Sequence, residues 1–231
     1  MNLEEIRAEL ELEISWRQNE IRFLRNQLAY IRSEQDRDRY RKSLVVMLYS
    51  HYEGFCKTAF SIYADAINKE KLKCSAANDS IVATSLAKIF KDFENPKKKS
   101  LFFVNVLPDD TQLHRFARQV EFLERLSDIS QRVVDIPTDV VIDMESNLTP
   151  AILRKILYRL GLPYDSFKQS EGKIHQLLMR RNNVAHGVHK GGISEKEYHE
   201  VEVAAYDIMK GLLHLIYGAL KDSSYLKLSY V

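Results

Sequence analysis

Apolar residues return every third, fourth or seventh position along the first forty residues, at Ile6, Leu10, Ile14, Ile21, Leu24, Leu28 and Ile31, with charged residues between them. That spacing lays one apolar stripe along a helix and predicts a single long helical arm over about residues 2–40. The same period returns from Thr111 to Val134, where Leu113, Phe116, Val120, Leu123 and Leu126 share a face. It returns again from Ser194 to about Leu220, through Val201, Ala204, Ala205, Ile208, Leu212, Leu215 and Ile216. Only 8 glycines and 5 prolines in 231 residues leave little turn chemistry between such helices. The expected fold class is all-α: a helical bundle forming one domain over residues 1–231, with no Pro/Gly-rich linker to divide it.

Residues from Ser43 to about Asn68 are apolar on most sides, as the central helix of a bundle would be. Glu53 stands out there, because an acid in such a helix usually has a partner. Between residues 75 and 150 the pattern weakens, and the stretch reads as an insertion that includes short strands. A short helix is expected over residues 80–90, with strand candidates at Leu101–Leu107 and Val133–Ile142. Thr149-Pro150 then starts a helix with a threonine N-cap and a proline at its first position, and Gly161-Leu162-Pro163 stops it. A helix from about Ser170 to His186 follows, ended by Gly187, and Ser194 to Glu197 is a capping box for the last helix. Residues 170–220 thus form a helical hairpin.

With 45% hydrophobic and 29% charged residues the chain can bury a core and keep a solvated surface. The net charge of +2 points to no partner by itself. Its distribution says more: Arg17 to Lys42 holds eight Lys/Arg against four acids, and Lys97-Lys98-Lys99 adds a second basic cluster. The two cysteines, Cys56 and Cys74, form no CxxC and have no His/Cys grouping around them, so neither a zinc site nor a disulfide framework is expected. The Glu-rich first twenty residues do not read as a signal peptide, and no apolar run reaches the roughly 20 residues that span a bilayer. The expectation is a cytoplasmic protein with no membrane contact.

Chemistry concentrates at Arg180-Arg181-Asn182-Asn183-Val184-Ala185-His186-Gly187. Histidine moves protons near neutral pH, and the arginine fork holds phosphate oxygens as charge develops on them. Five helical positions turn by about 140°, so Arg181 and His186 share a face poorly within one helix. Asn182 and His186, four apart, do share one, so Asn182 could orient either the imidazole or the Arg181 guanidinium.

This Arg–polar–three residues–His string resembles the motif of HEPN ribonucleases, all-α proteins that cut RNA without a metal, and Tyr52-Glu53-Gly54-Phe55 is similar to their early helix. The resemblance covers residues 43–60 and 170–220. It implies a HEPN-like bundle and a homodimer whose composite site cleaves RNA with the substrate's own 2′-hydroxyl, with no cofactor and no metal. Arg181, His186 and Asn182 would be catalytic. Glu53 would pair with Arg180 or Arg181 to set its orientation, unless it pairs with Lys57 four residues on. Arg180 and Lys57 would otherwise face RNA, and the basic face of the first helix would draw it in. Such nucleases are commonly toxins or effectors in prokaryotic defence or toxin–antitoxin systems, held by an antitoxin or regulatory protein. Val188 stands where some relatives carry a tyrosine modified by a nucleotidyltransferase. The competing reading is a non-catalytic helical module for protein interaction or RNA binding, with residues 1–40 as its docking element.

Overall fold

The computed structural model describes residues 1–100, 111–142, 147–188 and 190–227. Helix α1 (Leu3–Asn26) is capped by the Asn2 side chain, which accepts from the Glu5 N–H. A 3-10 turn (Gln27–Tyr30) and extended backbone at Ile31 then separate it from α2 (Glu34–Lys69), whose N-cap is Ser33. The helix expected over residues 2–40 is therefore two helices. The apolar stripe runs on through the break, while Ser33 accepts from the Asp36 N–H and starts a new helix.

The mid-chain region holds α3 (Asp79–Ser85), α4 (Ala87–Glu94), α5 (Thr111–Ser127) and the single turn α6 (Thr138–Val141). The last three helices are α7 (Pro150–Arg159), α8 (Glu171–Ala185) and α9 (Glu195–Lys221). Thr149 caps α7 with Pro150 at its first position, and the Ser194–Glu197 capping box opens α9, both as the sequence predicts.

Helices α1, α2, α8 and α9 pack on one another as the core, with α2 at the centre. Tyr49, Tyr52, Phe55, Phe60 and Tyr63 are all sealed from solvent along α2, which is why its sequence is apolar nearly all round. Helix α9 is long and apolar enough, by length and composition alone, to cross a bilayer. In this fold its apolar side, from Tyr198 and Val201 to Ile216 and Leu220, is packed against α1, α2 and α8.

The mid-chain region departs from expectation in three places. The helix expected over residues 80–90 is divided at Leu86 into α3 and α4. Helix α5 ends at Ser127 rather than Val134, and its expected core face is turned outward: Phe116 and Leu123 are more than 60% exposed. It packs instead through Phe122 onto Phe90 and Phe93 of α4, with ring centroids 5.9 and 4.5 Å away. Residues 133–142 form no strand; Val133 makes an isolated antiparallel bridge with Lys73, and Asn68 exchanges two hydrogen bonds with the Ile136 backbone. Leu101–Leu107 lies outside the described residues.

The basic stretch from Arg17 to Lys42 is largely internally paired. Arg17 is buried against Glu13 and over the Trp16 ring, Arg25 pairs with Glu202, Arg37 with Glu34, and Arg39 with Asp36. Arg41, also buried, holds Glu34 and Asp38. Much of the expected RNA-facing arginine surface is thus taken up in ion pairs, most of them within α1 or within α2, with Arg25–Glu202 joining α1 to α9.

Candidate active site around Arg181 and His186

The last turn of α8 places the motif. Its end is a Schellman closure: the Val188 N–H reaches the Asn183 carbonyl at 3.0 Å and the Gly187 N–H reaches Val184 at 3.1 Å. Gly187 supplies the positive φ of 66° that this closure needs. His186 is the C-cap, with its N–H bonded to the Asn182 carbonyl at 2.9 Å and its side chain exposed. The imidazole makes no hydrogen bond to another described side chain.

Arg181, half-buried, points back into the fold. Its Nη1 donates to Asn147 Oδ1 at 3.0 Å and to Asn182 Oδ1 at 2.8 Å, and its guanidinium lies 5.0 Å above the Tyr49 ring. Every one of these contacts is neutral. Among the described residues no carboxylate is within ion-pair distance of Arg181, and neither Nε nor Nη2 is used. The neighbouring Arg180 differs in kind: its Nη2 is held 2.9 Å from Glu197 Oε1. Glu197 also caps α9 through Ser194. The Ser194 contacts, followed by Arg180, hold its carboxyl near pH 2, well below the ordinary range.

Glu53 does not ion-pair with Arg180 or Arg181, nor with Lys57, which is exposed on α2. Its Oε1 accepts from the Tyr49 hydroxyl at 2.9 Å and from the Leu148 N–H at 3.0 Å. The same N–H also approaches the Tyr49 oxygen at 2.8 Å. Glu53 therefore reaches Arg181 only through intermediates: it fixes the ring beneath the guanidinium and the backbone beside Asn147. Burial, reinforced by the Glu53 carboxylate, pushes the Tyr49 hydroxyl far above its usual range, so it stays a proton donor.

The structure thus gathers Arg181, Asn182, Glu53, Tyr49 and Asn147 at one place, with His186 at the adjoining helix end, Arg180 held by Glu197, and Lys57 exposed on α2. Asn182 orients the guanidinium, not the imidazole. Two members went unread in the sequence. Tyr49 stands four residues before Glu53 on one helix face, a Tyr/Glu spacing that was legible. Asn147 lies 34 residues from Arg181 just ahead of the Thr149 cap, where nothing local ties it to the motif. Among the described residues, no three His, Cys, Asp or Glu side chains converge as metal ligands would.

The chain matches no curated protein and no solved structure. A family model described as MAE_28990-like HEPN matches residues 6–225, from the first turn of α1 to beyond the end of α9, and so takes in both the motif helix and the mid-chain region. Matched over nearly its whole length, the chain belongs to this HEPN family.

Proposed function

We propose that the protein is a metal-independent endoribonuclease acting as a homodimer, with Arg181, Asn182 and His186 as its reacting and orienting groups. The observation that carries this reading is the contrast between Arg181 and the adjacent Arg180. Arg180 faces the Glu197 carboxylate, whereas Arg181 is fixed by two amides and a ring and meets no carboxylate among the described residues. A guanidinium held in place by neutral partners suits a phosphodiester passing through a more negative transition state.

In the proposed reaction the substrate's 2′-oxygen attacks the adjacent phosphorus and the bond to the 5′-oxygen breaks. The products are a 2′,3′-cyclic phosphate and a 5′-hydroxyl. One proton leaves the 2′-hydroxyl and one joins the departing oxygen. Two copies of the chain would bring two His186 imidazoles, one to take a proton and one to give it. Arg181 would hold the non-bridging oxygens. A role as a toxin or effector of prokaryotic defence, restrained by an antitoxin or regulatory protein, fits a small nuclease of this kind and is part of the proposal.

The test is cleavage of a labelled RNA in EDTA. Wild type is expected to cut it, a fully 2′-deoxy version is expected to survive, and His186→Ala is expected to lose about 10²- to 10⁴-fold in rate. Cleavage of the deoxy strand, or full activity in His186→Ala, would remove this chemistry. One observation favours the competing role as a non-catalytic interaction module. Leu12, Trp16 and Phe23 lie on one side of α1 and are 65%, 42% and 66% exposed, an apolar stripe of the kind that docks another helix.

A further inference from the structure

We infer that Asn147 is a positioning residue for Arg181, and that its being an amide rather than an acid sets how strongly this site takes phosphate. The inference rests on the ribonuclease reading for what Arg181 acts upon. Its geometric basis lies in the chain itself.

Asn147 is anchored through the two residues that follow it. Leu148, next to it, is fully buried, and its N–H is fixed to the Tyr49 hydroxyl and Glu53 of α2. Thr149 then caps α7 through the Ile152 N–H at 3.2 Å. The Asn147 side chain therefore meets Arg181 from a backbone that α2 and α7 both define. Arginine offers five N–H donors in a rigid plane. Asn147 and Asn182 both take theirs from Nη1, so the Nε–Nη2 edge, which binds phosphate with two parallel hydrogen bonds, faces no described protein acceptor. Tyr49 closes one face of the plane.

An aspartate at 147 would have the same shape and accept the same hydrogen bond. It would also neutralise the guanidinium, as Glu197 does for Arg180. Asn147 thus separates orientation from neutralisation, and the exchange of one amide for one carboxylate isolates the second effect. It also gives the mid-chain region a part in the site, since Asn147 stands at the junction of that region with α7.

The experiment compares wild type, Asn147→Asp and Asn147→Ala. Cleavage of a labelled single-stranded RNA in EDTA is read first. Binding of the same RNA across a salt series is read second, with all three proteins carrying His186→Ala so that the RNA survives. Asn147→Asp is expected to melt at or above the wild-type temperature, to cut about 10²-fold more slowly, and to lose about 0.7 from the salt-dependence slope, the share of one phosphate contact on a single strand. Asn147→Ala is expected to keep the wild-type slope, because the charge remains, and to cut about tenfold more slowly because the guanidinium is less fixed. A purely structural role predicts the opposite order, with the isosteric aspartate tolerated and alanine the worse of the two. Wild-type cleavage and slope in Asn147→Asp would overturn the inference and leave the ribonuclease reading standing. A wild type that binds RNA with the fuller slope yet never cuts it would remove the ribonuclease reading and leave the role of Asn147 intact.

Discussion

Helices α9 and α5 carry the same kind of apolar period, yet one is the wall of the core and the other shows its stripe to water. On α9, Val201, Ala205, Ile208, Leu212 and Ile216 are all buried, because α1, α2 and α8 surround that side. On α5, Phe116, Val120 and Leu123 are exposed, and the helix instead turns Phe122 to α4 and buries His114, Ala117 and Arg118. Periodicity establishes that a helix forms, whereas burial depends on how many neighbours that helix has. The bundle and the mid-chain region differ in that number, and the site lies where they meet, with Arg181 from one and Asn147 from the end of the other.

The largest expected effect that sharpens this contrast is in the bundle. Phe60→Ala empties a fully buried position at the centre of α2 and should cost about 3–5 kcal/mol in denaturant unfolding. A loss below about 1 kcal/mol would mean that α2 is not the centre of the core. The next is a pH effect where α1 meets α2. His51 is buried with its ring edge-on to Trp16, 5.4 Å away, and its Nε2 is 3.2 Å from a Glu20 oxygen without hydrogen-bond geometry. Burial lowers the imidazole's pKa and the Arg17 charge adds to that, with only Glu20 opposing. The unfolded chain then binds more protons than the folded one below about pH 6.5, so stability falls as the pH drops through that value, until the folded-state pKa is passed. His51→Gln should flatten the decline in melting temperature between pH 7 and pH 5; an unchanged decline would place its origin elsewhere. The smallest effect belongs to the mid-chain region: Phe116→Ala should stay within about 0.5 kcal/mol of wild type, and a loss of several kcal/mol would show that α5 is covered after all.

The parts of the fold written in local chemistry were legible. Thr149-Pro150, the Ser194–Glu197 box and Gly187 each act within four residues of themselves, and each marks the helix end it predicts. The break at Ser33 was legible too, as a serine followed by Asp36, but the unbroken apolar stripe outweighed it. What the sequence withheld is long-range. Nothing near Glu53 says that its carboxylate will take a backbone N–H 95 residues away instead of an arginine. Nor does a run of arginines say which acid each will meet, since Arg25 finds Glu202 only after α9 has come alongside. The motif helix itself was legible, and Gly187 closes it as expected. Which of its two adjacent arginines meets a carboxylate could be read only from the packed structure.

That difference between neighbours is the most direct point of attack. Single-turnover cleavage of one labelled RNA in EDTA, measured for Arg181→Ala and Arg180→Ala beside wild type, asks which guanidinium acts on the phosphate. Arg181→Ala should lose at least about 10²-fold in rate, while Arg180→Ala, already bound to Glu197, should lose only a few-fold. Equal losses in the two variants, or near wild-type cleavage by Arg181→Ala, would contradict the assignment of Arg181, and not Arg180, as the guanidinium that acts on the phosphate.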